Sequence, residues 1–297
     1  MPVSIRAARS DDAPRVSELC QRATPVDLRP ATPTGSSCAD AWIRHRIALS
    51  NDVESARDSQ TETNGAGALE QAPAYRIADD DRRIVGVAEW RMIDAHLFLN
   101  TIATAPRGRG IGTLLLREGL ERWPSPELVE LDVFASMPNA IRWYKKLGFE
   151  AVRESEWVFY PPLVPKEKKR ATIQKKTVSR NTHAERVQWM NQGRATTNHD
   201  SYGVSTLDLK TEGKNHRVGR LGTDFFRITD PKTLCNQAIR HFLCHLDPTR
   251  HVAHRAASPP VRDPFTGLEG RHIDTSTRMR TSRKTILQAI ASDVRRS

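Results

Sequence analysis

The sequence predicts an α/β domain over residues 1–162, followed by a basic extension over residues 163–297. Three observations carry this reading. Strand-like and helix-like runs alternate as far as Leu163. A glycine-rich turn joins an apolar strand run to an amphipathic helix. The charge balance shifts at one point: residues 163–297 hold 26 Lys and Arg against 12 Asp and Glu, whereas residues 1–162 hold 20 against 23. Eight of the ten histidines also fall after that point, and a coincident change in charge and histidine use marks a boundary.

Along the first part, "VSIRAA" at 3–8 reads as a strand. "SDDAPRVSELCQRA" then opens a helix, with Ser10, Asp11 and Asp12 as cap candidates and Val16, Leu19 and Cys20 at helical spacing. A second helix is expected over "ADAWIRHRIAL", and the polar stretch 51–73 is expected to be a long loop. "AYRIAD" and "RIVGVAEWRM" flank a turn at "DDDR" and read as a hairpin. "HLFLNTIATA" is a central strand by length and apolarity. Ile111, Leu114, Leu115, Leu120 and Trp123 make the stripe of a helix that stops before Pro124. "LVELDVFA" alternates, with Leu131 and Val133 on one face and Glu130 and Asp132 on the other. "PNAIRWYKKL" is a short helix closed by Gly148, and "FEAVRESEWVFYPPL" is expected to give two last strands.

Composition bounds the function. Hydrophobic residues make up 38% and aromatics 6%, low for a compact core along all 297 residues. No run of about 18 apolar residues predicts a membrane span, and "MPVSIRAARSDD" lacks the apolar centre of a signal peptide. Cys20, Cys38, Cys235 and Cys244 lack the spacing of a disulfide framework, which favours a reducing, cytoplasmic setting.

The segment Arg107-Gly108-Arg109-Gly110-Ile111-Gly112 lies between strand and helix. Successive N–H groups at a helix start converge, the helix dipole adds partial positive charge, and glycine lets a ligand approach the backbone. That describes a pyrophosphate cradle. The spacing does not fit a dinucleotide fingerprint, and the Gly-Lys-Ser/Thr of a P-loop is absent.

Arg107-x-x-Gly110-x-Gly112 after a strand resembles the acyl-CoA signature of the GNAT superfamily of N-acetyltransferases. "NAIRWYKKLGFE" resembles that family's second motif through Ala140, Tyr144, Gly148 and Phe149. "VSIRAARSDDAPRVSEL" and "RRIVGVAEW" look like its opening and its third strand. The resemblance covers roughly residues 3–162 and implies a mixed, mostly antiparallel central sheet flanked by helices. It implies acetyl-CoA as acyl donor, an amine acceptor and no metal. Ile102 stands where the family's backbone flanks the thioester, and Arg107, Gly108, Arg109, Gly110, Ile111, Gly112 and Thr113 stand where it wraps the pyrophosphate. The side chains of Arg107 and Arg109 either add charge there or reach solvent.

Tyr144 matches the family's proton donor to the leaving thiolate, and spacing alone would equally make it a core tyrosine. Asp132 matches the glutamate that serves as base in the ribosomal-protein alanine acetyltransferases, or is a solvated strand acid. Glu89 is a second candidate base. Met137 stands where the family often has an asparagine that helps hold the cofactor; neighbouring Asn139 either compensates or caps its helix. That departure keeps open a module that binds acyl-CoA without turnover.

The basic run 166–176 is read as a solvated linker, with nucleic-acid binding through 163–297 and nuclear import left open. Asn181–Gly222 is polar enough to predict partial disorder. "PKTLCNQAIRHFLCHL" and "SRKTILQAIASDVRR" predict helices. Cys235, His241, Cys244, His245, His251 and His254 lack zinc-motif spacing, and Leu234, Ala238, Ile239 and Leu243 read as an apolar helix face. No internal repeat is visible in the sequence.

Overall fold

The computed structural model describes residues 3–58, 73–81, 83–163, 187–257 and 270–294. The chain divides into two compact units. Unit 1 comprises Met1–Arg29, Thr34–Glu154 and Thr275–Ser297; unit 2 comprises Pro30–Pro33 and Ser155–Asp274.

Unit 1 is a mixed, mostly antiparallel sheet with helices on both faces. Strand β1 (Ser4–Ala7) pairs antiparallel with β2 (Ala74–Asp80), β2 with β3 (Arg83–Ile93), and β3 with β4 (His96–Thr104). β4 then runs parallel to β5 (Leu128–Phe134). Helices α1 (Ala13–Ala23) and α2 (Ala39–Asp58) bury Val16, Leu19, Ile43 and Ile47 against Tyr75, Ile77 and Val87. Helices α3 (Ile111–Arg122) and α4 (Pro138–Lys146) bury Leu115, Leu116, Leu120 and Tyr144 against Trp90, Leu97, Leu99 and Leu131. Each helix presents residues three and four apart to the sheet, as the apolar spacing requires.

Several expectations change. The loop predicted from residue 51 begins later, because α2 continues to Asp58; residues 59–72 lie outside the described residues. The two strands expected in "FEAVRESEWVFYPPL" are one, β6 (Glu150–Tyr160), because no Gly, Pro, Asn or Asp interrupts that run. The strand that pairs with the outer side of β5 comes from near the end of the chain. It is the last part of β12 (Arg271–Ser282), where residues 276–282 run antiparallel to 128–134. After it, α8 (Arg283–Val294) adds Ile286 and Ile290 to the core around α3, and Met279 joins from β12.

Residues 187–222, where polarity predicts partial disorder, instead carry regular structure. They form β7 (Gln188–Trp189), α5 (Gln192–Tyr202), β8 (Val204–Thr211) and β9 (Lys214–Leu221). Leu207, Leu209 and Val218 share one face by register and suffice to bury it. Glu212 and Gly213 both have positive φ, 48° and 79°, which is the backbone of a tight hairpin turn. β10 (Phe225–Ile228), α6 (Pro231–Cys235), α7 (Gln237–Leu246) and β11 (His251–Ala257) complete the run. The single helix expected over 231–246 is broken at Asn236, whose extended backbone and side-chain oxygen cap α7 at the Ile239 amide. Leu234, Ile239 and Leu243 are fully buried in the unit 2 core. The basic run 166–176 lies outside the described residues.

In unit 2, β7 pairs antiparallel with β8, β8 with β9 and β9 with β10; β10 runs parallel to β11, and β11 pairs antiparallel with residues 155–160 of β6. Unit 1 has the same succession of senses, ending on residues 276–282 of β12. The two units therefore share one succession of strand senses, although the sequence shows no repeat and the sixth strand follows the other five in unit 1 but precedes them in unit 2.

Candidate functional site

β4 and β5 pair only at Leu97–Val129, Phe98–Glu130 and Leu99–Leu131. Beyond Leu99 the strands part, while β4 stays paired with β3 as far as Thr104. Asn100 is the extra residue of a β-bulge there, since Leu99 pairs with Trp90 and Thr101 with Glu89. The parted edge of β4 leads through 105–110 into the start of α3.

Gly110 precedes α3 with φ +72°, and no side chain caps the helix. Gly108 has φ +84°. Both glycines are needed for the left-handed backbone, which costs another residue about 1–2 kcal/mol. A Cβ on either would meet nothing within 4 Å, so both face open space. The segment lines a cavity of about 970 Å³ together with residues 22–26, Arg29, Ile102–Thr113, Ser136–Ala140, Trp143 and Tyr144. All eight residues expected to hold the cofactor (Ile102, Arg107, Gly108, Arg109, Gly110, Ile111, Gly112 and Thr113) thus border one space. Uncapped amides beside open glycines are suited to an anion such as a pyrophosphate.

The two arginines differ. Arg109 Nη1 donates to Asp80 Oδ2 at 2.9 Å, which ties the cradle to the β2–β3 turn. Arg107 is exposed at the cavity. Met137 and Asn139 both line the cavity; Met137 precedes α4, and Asn139 Oδ1 accepts a hydrogen bond from Arg142.

Tyr144 also lines the cavity and is buried, with its ring 4.9 Å from Trp143 and 5.6 Å from Phe149. Burial pushes its phenol pKa up, so the proton is held at neutral pH.

The two carboxylates considered as bases are committed elsewhere. Asp132 does not border the cavity. Its oxygens accept from Arg278 Nε at 2.6 Å and Nη2 at 2.9 Å, a two-bond pairing between β5 and β12. Glu89 is fully buried. Its Oε1 accepts from Arg91 Nε at 2.8 Å, its Oε2 accepts from Asn100 Nδ2 at 2.7 Å, and Arg46 Nη2 lies 3.7 Å away. Burial alone raises the Glu89 pKa, but the charges of Arg91 and then Arg46 outweigh it and hold the group below its ordinary range. Glu89 is therefore an ionised anchor that orients Asn100 at the bulge.

Sequence reasoning did not single out the wall formed by residues 22–26 at the end of α1, which carries no motif. It also missed the Arg278 and Arg280 partners. The acidic pair Glu130 and Asp132 and the basic pair Arg278 and Arg280 share a two-residue spacing that signals facing strands. Among the described residues, no His, Cys, Asp and Glu group has the geometry of a metal site, and no helix is long and apolar enough to cross a membrane.

Residues 41–149 match the profile of the Acetyltransferase (GNAT) family, so the chain carries a domain of that family. The fold is similar to that of a tandem GNAT protein from the clavulanic acid biosynthesis pathway. The two are 11% identical, and the likeness covers 95% of this chain and 99% of that one at a TM-score of 0.56. It is also similar to a GCN5-related N-acetyltransferase from Sphaerobacter thermophilus, 15% identical over 95% of this chain and 96% of that one, at a TM-score of 0.50. No curated protein matches the chain.

Proposed function

We propose that this GNAT acetyltransferase domain moves the acetyl group of acetyl-CoA to a primary amine by direct attack of the amine on the thioester. The acceptor is an amine of a small molecule, a protein N-terminus or a lysine. One observation carries the reading: parted strands lead to an uncapped helix mouth, and the same cavity is bordered by Tyr144.

In this reading the amides of Ile111, Gly112 and Thr113 receive the pyrophosphate, with Arg107 adding charge at the rim. The free edge of β4 from Asn100 to Thr104 receives the pantetheine arm as an added strand would be received, which brings the acyl carbon beside Ile102. Acetyl-CoA supplies the activated acyl group. The amine nitrogen forms the new C–N bond as the C–S bond breaks. Tyr144 donates its proton to the departing sulfur and regains one from solvent.

The described lining of the cavity contains no Asp, Glu, His or Lys. The attacking amine therefore reacts as the free base and releases its remaining proton to water. Asp132 and Glu89 have no part in proton transfer here, because arginines already hold their carboxylates. A second reading, a module that binds acyl-CoA without turnover, is favoured by Met137 and by that lack of a base.

Titration calorimetry with acetyl-CoA, followed by free-thiol release with a panel of lysine, peptides with free N-termini and small amines, tests both. An enzyme binds and releases thiol in the presence of an amine; a sensor binds and releases none. No affinity for acetyl-CoA or coenzyme A would refute both.

A further inference from the structure

Unit 2 repeats the succession of strand senses of unit 1, so β10 stands where β4 stands; between β10 and β11 the chain forms α6 and then α7, where unit 1 has α3 alone between β4 and β5. We propose that the chain nevertheless takes one acyl-CoA only, on unit 1, because the corresponding helix mouth of unit 2 is closed by a carboxylate of its own. The inference rests on the reading that the unit 1 cradle receives the pyrophosphate.

In unit 1, residues 105–110 separate β4 from a helix of twelve residues. In unit 2, only Thr229 and Asp230 separate β10 from α6, which has five residues. The first residue of α6 is Pro231, which has no amide hydrogen. The next two amides, of Lys232 and Thr233, donate to Asp230 Oδ1 at 3.1 Å and Oδ2 at 3.0 Å. The Leu234 amide donates to the Asp230 carbonyl. No first-turn donor is left over for a phosphate, and the charge already present there is negative.

A buried relay fixes that carboxylate. Thr233 Oγ1 donates to Asp230 Oδ2 at 2.7 Å. Because that hydroxyl proton is committed, Thr233 Oγ1 accepts from His216 Nδ1, 2.9 Å away. His216 Nε2 is hydrogen-bonded with Thr211 Oγ1, also at 2.9 Å, and Thr211 Oγ1 accepts from Asn236 Nδ2 at 3.2 Å. Thr211, His216 and Thr233 are all buried. Every polar atom in this chain has a partner, so admitting a diphosphate would break the relay and set like charges side by side.

The test is titration calorimetry of the full chain with acetyl-CoA. One mole bound per mole of chain is expected. Gly110→Trp, which fills the unit 1 cradle, should abolish that binding. Asp230→Ala should lower the melting midpoint by about 2–4 °C through loss of the cap; an unchanged midpoint would show that the carboxylate does not hold the helix mouth. Two moles per wild-type chain would overturn the proposal, as would one mole retained at unchanged affinity in the Gly110 variant. If that variant does not fold, the wild-type stoichiometry decides alone. An absence of any binding would refute the unit 1 reading while upholding a closed unit 2.

Discussion

Removing residues 271–297 should unfold unit 1, even though both GNAT motifs stay in the shortened chain. The deletion takes away the strand paired with β5 along residues 128–134 and the helix that follows it. Met279, Ile286 and Ile290 are at most 4% exposed. Burying such side chains contributes about 1.5–3 kcal/mol each, hence about 5–9 kcal/mol together as an upper estimate. The loss of Arg278 and Arg280 also takes both arginine partners from Glu130, whose side chain is 9% exposed, and the Arg278 pairing from Asp132; stripping a buried carboxylate of its partner costs about 3–5 kcal/mol. A domain has only about 5–15 kcal/mol in total. The assay compares residues 1–270 with the full chain by circular dichroism in urea and by calorimetry with acetyl-CoA, then adds a peptide of residues 271–297 in trans. The shortened chain should lack a cooperative transition, and the peptide should restore part of it. Equal urea midpoints and equal acetyl-CoA affinity without the peptide would refute the reasoning.

Tyr144→Phe should slow transfer while leaving acetyl-CoA affinity nearly unchanged; stopped-assay turnover equal to wild type would remove Tyr144 from proton transfer. Gly119→Ala should destabilise unit 1 by about 1–3 kcal/mol, because its Cβ would lie 2.2 Å from Trp90 Cε2, an atom of a fully buried ring; an unchanged urea midpoint would contradict that packing. For Glu130, burial works to raise the pKa, but the hydrogen bonds from Arg280 and Arg278 prevail and hold it below its ordinary value of 4.5. A depressed folded pKa gives stability that is complete above 4.5 and is lost as pH falls through the folded value. Wild type should therefore lose urea resistance below pH 4.5 more steeply than Glu130→Gln; parallel curves would show that the pairing contributes nothing.

The glycine segment and the helix that follows it were legible because their signals are local. Glycines at positive φ, a helix stripe and a Pro stop all act within a few residues, so Gly108, Gly110 and α3 could be read directly. The fate of Asp132 was not, because its partner Arg278 lies 146 positions away, in a strand whose only deeply buried apolar residue is Met279. Spacing along a strand tells which side chains share a face and says nothing of which distant strand they meet. Unit 2 escaped for a related reason. β8 and β9 bury one face with a few apolar residues and carry Asp208, Lys210 and Arg217 on the other, so their average polarity resembles that of a loop. The shared succession of strand senses is one that very different residues can supply.

Synthesis proceeds from one end, and that gives the late β12 strand a temporal meaning. When Phe134 has left the ribosome, its pairing residue Ser276 has yet to be made. At about 5–20 residues per second the intervening stretch takes about 7–28 s. Throughout that interval the outer side of β5 lacks its neighbour, the kind of open edge that recruits foreign strands. Glu130 and Asp132 lie on that waiting edge, and their charge opposes such mispairing until the two arginines arrive.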